Sequence, residues 1–296
     1  MKEIIKLPAW FLFVLFPLIS LFLSCRNDVE LSFTHEPKLC LNCILNPDSI
    51  IKADLSLSQA IGDAENFIPV VGAKIELYEN NIFYGALSDN ETGNYSIKYH
   101  PQYGVEYKIR VEKDGHPTFE ATTKVPNKTR IESTIEITDP KEELFKRTVD
   151  IFDPKGKNQY WLYSYSINGT QKNISTLYAN LYEPFFDDFN KKQETESKYG
   201  FQYHYMIRIN DDKFDGNILQ INNPVQRKST IYTDVHIYME VDIHYDKHLK
   251  TSIQALMLKE EEIPMSEPVQ IYSNINNGYG IFGSCVMFTI INYPTK

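Results

Sequence analysis

Three groups of side chains in this sequence have the types and spacing to do chemistry. Asp211, Asp212 and Asp215 crowd carboxylates into the stretch Asp211-Asp212-Lys213-Phe214-Asp215-Gly216, and calcium favours oxygen-rich loops of this kind. An EF-hand would need a bidentate Glu further on, and Asp and Gly are also ordinary hairpin residues, so a turn is the expectation and the three stand as weak metal candidates. Asp242 and His244 lie two apart; on one strand face they would offer a carboxylate and an imidazole to a single ligand, and they are the candidate ligand-binding pair. His244 and His248 have the four-residue spacing of zinc-binding histidines on a helix, but Tyr245 stands where a zinc peptidase carries its glutamate base. Solvated or structural histidines are therefore expected. His236 and His244 are separated by about 27 Å if the run between them is a strand, too far for one catalytic group. No Gly-x-Ser-x-Gly elbow and no phosphate-cradling glycine loop occurs, so no catalytic residue and no cofactor is assigned. A hydrolase using Asp242, His244 or the Asp211 turn is the least favoured reading, kept because carboxylates paired across strands leave no sequence signature.

The four cysteines divide by context. Cys40 and Cys43 sit in the strand-like run Leu39-Cys40-Leu41-Asn42-Cys43-Ile44-Leu45, where they would be about 10 Å apart and on opposite faces, unsuited to a mutual disulfide. Pairing of either with Cys285 stays open, and buried free thiols are the expectation, because no second cysteine pair and no helix start follows. Cys25 is different. Lys2 and Lys6 precede a run, residues 7–23, that is apolar apart from Pro8, Pro17 and Ser20. The run is shorter than the roughly 20 residues a spanning helix needs, and it has the form of an export signal. The closing Leu21-Phe22-Leu23-Ser24-Cys25 resembles the lipobox of bacterial lipoproteins, with Phe22 where Leu is usual. That resemblance implies removal of residues 1–24 as a signal peptide and acyl chains on the thiol and amine of Cys25, a stable membrane anchor.

Positioning the candidate residues falls to β structure. With 42% apolar and 13% aromatic residues the chain has ample core material, and a formal charge of −9 without a basic cluster argues against nucleic acid as a partner. Residues 25–36 lack periodicity and read as a lipidated tether. Over 37–142, alternating runs such as Ile51-Ala53-Leu55-Leu57, Ala73-Ile75-Leu77 and Tyr107-Ile109-Val111, separated by turn clusters, predict a sandwich of immunoglobulin-like or carboxypeptidase-regulatory-like pattern. Asp139-Pro140-Lys141-Glu142-Glu143 reads as a boundary. Residues 143–296 read as a second antiparallel β domain, making the chain mainly β. Its clearest strand sets Ile231, Thr233, Val235, Ile237, Met239, Val241 and Ile243 against Tyr232, Asp234, His236, Tyr238, Glu240, Asp242 and His244, one apolar face and one solvated or ligand-binding face. The spacing of Leu249, Ile253, Leu256 and Met257 predicts one helix near 245–258. Trp161, Tyr163 and Tyr165 share a strand face, as do Phe201, Tyr203 and Tyr205; such rings stack on glycans or fill cores, and packing is the expectation. Residues 185–198 read as a charged loop or short helix.

Taken in order, Cys25, Leu45-Asn46-Pro47-Asp48-Ser49, the Asp211–Gly216 turn and Ser273-Asn274-Ile275-Asn276-Asn277-Gly278-Tyr279-Gly280-Ile281-Phe282-Gly283 resemble an uncharacterised family of Bacteroidetes outer-membrane lipoproteins, domain-of-unknown-function family 4249, often encoded beside SusC-like TonB-dependent receptors. The resemblance implies an outer-membrane location, attachment to the membrane through lipid on Cys25, and a role beside such a receptor in capturing a glycan, a peptide or another small nutrient. It implies no reaction. A fimbrial or adhesive structural lipoprotein is the alternative, and it would need an exchangeable terminal strand within residues 269–293.

Overall fold

The computed structural model describes residues 35–60, 68–168, 206–222, 229, 231–260 and 269–293, with the backbone alone at 171–175, 177–178, 194–197, 200–203 and 226–227. Cys25 and most of its tether, residues 185–193 and 198, Tyr205, and the side chains of Phe201 and Tyr203 lie outside the described residues. The chain divides into Met1–Glu36 with Ala60–Asp63, almost wholly outside that description, and Pro37–Gln59 with Ala64–Lys296, to which everything below refers.

Period-two alternation produces the strands. The first group is β1 (Leu39–Leu45), β2 (Ile51–Leu57), β3 (Ile68–Pro69), β4 (Lys74–Glu79), β5 (Ile82–Asp89), β6 (Asn94–Ile97), β7 (Glu106–Glu112) and β8 (Phe119–Lys124). The second is β9 (Arg130–Asp139), β10 (Leu144–Phe152), β11 (Gln159–Asn168), β12 (Gln171–Ser175), β13 (Leu177–Tyr178), β14 (Glu194–Ser197), β15 (Gly200–Tyr203), β16 (Ile207–Asn210), β17 (Ile218–Asn222), β18 (Gln226–Arg227) and β19 (Thr233–Val241), followed by α1 (Ile243–Glu260) and β20 (Tyr279–Asn292). The protein is thus mainly β with one α-helix among the described residues, and that helix starts two residues before, and ends two after, the span its spacing predicts. No helix among the described residues is long and apolar enough to cross a membrane.

One sheet runs β12-β11-β19-β20-β1-β2-β6-β5-β4-β7-β8. It curls until β8 meets β20, where Thr123 Oγ1 donates to Ser284 Oγ at 3.0 Å. The first part of β20 pairs parallel with β1, Cys40 opposite Tyr279 through Leu45 opposite Ser284. Its second part pairs antiparallel with β19, Val241 opposite Cys285 through Asp234 opposite Asn292. The glycine-rich bend makes that junction fit. Gly280 has φ +100°, and a Cβ there would come within 2.0 Å of the Leu41 carbonyl oxygen, so only glycine lets β20 approach β1 this closely.

Alternate residues of β1, β2, β4, β7 and β8 fill the first core, which Ile275 and Phe282 complete from the far end of the sequence. A second, smaller sheet carries β9 on one side of β10 and β17 and β18 on the other. Asp139–Leu144, the stretch read as a boundary, turns a hairpin whose strands pair from Asp139–Leu144 to Arg130–Phe152. This sheet covers the Tyr238 face of β19, with Val149, Ile151, Tyr160 and Leu219 between them, while α1 covers the Val235, Ile237, Met239 and Val241 face. The face of β19 read as solvated or ligand-binding therefore packs inward at Tyr238 and Glu240. Alternation reports one apolar face; it does not say that a second sheet will cover the polar one.

The same division separates the thiols. Cys43 belongs to the first core and Cys285 to the core under α1, and Cys40, Cys43 and Cys285 are all free. Burial pushes Cys43 and Cys285 up to about 12, which suits inert core residues. Trp161 packs into the core under α1, with Tyr163 and Tyr165 at its margin.

Candidate functional site

The expected pair Asp242 and His244 straddles the start of α1. Asp242 caps the helix: its Oδ2 accepts the His244 amide at 3.1 Å and its Oδ1 accepts the Tyr245 amide at 3.1 Å. The same Oδ1 accepts the Ser284 amide at 2.9 Å, tying the helix start to β20. His244 Nδ1 meets the Tyr272 hydroxyl at 2.7 Å, and His248 Nδ1 meets the Tyr272 carbonyl at 2.8 Å. The four-residue spacing of the histidines does put both on one helix side, but that side holds the strap before β20. Below them, Asp246 takes hydrogen bonds from Arg208 Nε at 2.7 Å, Arg208 Nη2 at 3.0 Å and Trp161 Nε1 at 2.9 Å. This buried ion pair clamps α1 onto β11 and β16.

The acidic turn is more concentrated than its sequence suggests. After β16, Asn210 caps a single 3-10 turn, Asp211–Lys213, and Phe214 and Asp215 both donate their amides to the Asp211 carbonyl. β10 and β17 pair up to Phe152 opposite Ile218, which brings the loop leaving β10 against this turn. Asp153, at the end of β10, thereby joins Asp211 and Asp215, and oxygens of the three lie within 4.8 Å of one another. Asp212 does not join them; it exchanges hydrogen bonds with Asn210 on the exposed side.

Each member has an assigned neighbour. Asp153 Oδ1 accepts from Tyr160 Oη at 2.6 Å and its Oδ2 from the Gly216 amide at 2.9 Å. Asp211, 1% exposed, accepts from the Asn158 amide at 2.5 Å, and Asp215 from the Gly156 amide at 2.8 Å. Glu240 of β19, buried nearby, accepts from the Thr129 hydroxyl. Burial, aided by the neighbouring carboxylates, holds Asp153 and Asp211 above the usual range and pushes Glu240 up to about 7. Three converging carboxylates have the hard-oxygen character that suits a calcium-sized cation, and the amides they accept from also make them the clasp between two loops.

Sequence reasoning found Asp211 and Asp215, set Glu240 on the solvated or ligand-binding face without joining it to them, and missed Asp153 and the Tyr160 hydroxyl. Asp153 stands far from Asp211 in the chain, and only the β10–β17 register joins them. Residues 26–290 match the family model described as Domain of unknown function (DUF4249). No curated protein matches the chain.

Proposed function

We propose that this chain, which belongs to the DUF4249 family, is a non-catalytic cell-envelope lipoprotein. In this reading, lipid on Cys25 holds it at the outer membrane, where it serves a TonB-dependent receptor as an accessory docking or ligand-binding partner in nutrient uptake. The observation that supports this most is the course of β20. Its start lies beside β1, where Lys38 Nζ stands 5.7 Å over the Tyr279 ring. Its end lies some 45 Å on at ordinary strand rise, beside the start of β19. Exposed Ile135, Ile137, Ile291 and Tyr293 gather towards that far end. Apolar side chains exposed among the described residues at the far end of β20 suit a protein that meets a partner there.

Two observations favour this over the other readings. Asp242 and His244, which a hydrolase would use, are committed to backbone amides and Tyr272. β20, which a donor-strand subunit would exchange, is paired on both sides. Full-length protein extracted with detergent from outer membranes should co-purify with a receptor barrel or a bound nutrient. Recovery as a lone monomer with no bound ligand, or in the inner-membrane fraction, would overturn the proposal.

A further inference from the structure

Two edges of the β structure in the described residues, β8 and β9, are treated differently. At β8, side chains from the β20 region occupy the outward carbonyls: Ser284 Oγ donates to the Lys124 oxygen at 2.9 Å and Asn274 Nδ2 to the Thr122 oxygen at 3.4 Å. At β9 nothing comparable occurs among the described residues. This strand pairs with β10 along its length and with no other strand among the described residues. Its sequence, Arg130-Ile131-Glu132-Ser133-Thr134-Ile135-Glu136-Ile137-Thr138-Asp139, contains no proline and no lysine; what guards the edge is its charges, mostly acidic, and a register shift at the Asp139 end. Ile135 and Ile137, on one face, are 52% and 61% exposed, and the other face carries exposed Glu132, Thr134, Glu136 and Thr138.

A bare ladder edge with alternating apolar positions is the geometry for strand addition, in which main-chain hydrogen bonds supply affinity and alternate side chains supply selectivity. The charge of the edge selects the occupant. Within β9, Glu132, Glu136 and Asp139 outnumber the one cation, Arg130, which already pairs with Glu132, and across the ladder Lys146 opposite Glu136 is balanced by Asp150 opposite Glu132. A second copy of this chain would bring a strand of the same net negative charge to the edge, and in the register centred on Thr134 would set Glu132 against Glu136, a destabilising cross-strand arrangement. We infer that β9 is the acceptor edge for an extended segment of another protein, in which Lys or Arg alternates with apolar residues. This names the surface for the docking reading above and rests on it only for the identity of the receptor.

The test uses the full mature chain and two short capped peptides, one alternating Lys with Val and one alternating Glu with Val. The Lys peptide should bind about tenfold more tightly than the Glu peptide at low salt, with slowed amide exchange confined to Arg130–Asp139. Ile135→Lys with Ile137→Lys, and separately the surface change Glu136→Lys, should each abolish that preference with unchanged thermal unfolding. Equal binding of the two peptides, no binding, or protection away from β9 would overturn the inference. So would sedimentation showing self-association that the isoleucine changes remove. Receptor that still co-purifies with the Ile135→Lys, Ile137→Lys chain would leave the docking reading standing and remove this edge from it. Peptide binding at β9 without any receptor in the extract would do the reverse.

Discussion

Glu240 and His236 stand on the same face of β19 and titrate in opposite senses. Burial first, then Asp153 and Asp211, raises Glu240 from its ordinary 4.5 to about 7. Burial first, then Arg147, lowers His236 from 6.5 to about 4, against a weaker pull from Asp234. The folded state therefore binds Glu240's proton more tightly than the unfolded chain does, and that stabilisation is complete below pH 4.5 and lost as pH rises through 7. For His236 the folded state favours the neutral ring, so its contribution is present above pH 6.5 and lost as pH falls through 4. Each effect is on the order of 3 kcal/mol over its whole window, and they oppose between pH 4.5 and 6.5. Urea unfolding of the natural chain should vary little there. Glu240→Gln should instead lose stability steadily on acidification from pH 6.5, whereas His236→Gln should gain it. Parallel slopes for the two variants would show that the pair does not titrate as described.

At the scale of elements, α1 separates a structural carboxylate from a binding one. Asp242→Ala should cost about 1–2 kcal/mol through loss of the cap, with further loss from the freed Ser284 amide. Asp242→Asn should fall between Asp242→Ala and the natural chain, because its one amide oxygen can keep the Tyr245 and Ser284 amides that Oδ1 accepts, whereas its NH2 would face the His244 amide that Oδ2 accepts; urea midpoints of the three proteins decide this. A drop for Asn as large as for Ala would mean the charge itself matters at this position. The strand segments were legible from alternation, and α1 from the change of spacing after Asp242, because both signals are local. Where the strands go was not. Asp242 and Ser284 meet only because β19 and β20 pair, and Asp153 reaches Asp211 only through β10 and β17. β9 read as the close of the first sandwich although its partner, β10, lies beyond the Asp139 turn, since a hairpin turn and a linker use the same residues. The Trp161, Tyr163 and Tyr165 face read as packing, and Trp161 does fill a core, but the Asp246–Arg208 clamp behind it had no counterpart in the reading.

For the molecule as a whole, β20 makes the two halves interdependent. Residues 37–142 lack Ile275 and Phe282 of their own core and leave β1 with one neighbour, β2. That fragment should show collapsed amide dispersion and rapid proteolysis by itself, and adding a peptide spanning residues 269–293 should restore part of its order. A well-dispersed spectrum from the fragment alone would mean that the first core needs nothing from the end of the chain. The pairing also governs timing. A chain made from its N-terminus presents Leu41, Cys43 and Leu45 long before Phe282 exists to lie beside them. Folding must then wait on the last strand and be slow, as for any topology dominated by distant contacts. During that interval the β1 edge is sticky, so newly emerged chains will depend on holding chaperones, and truncated ones will aggregate rather than persist as half-molecules.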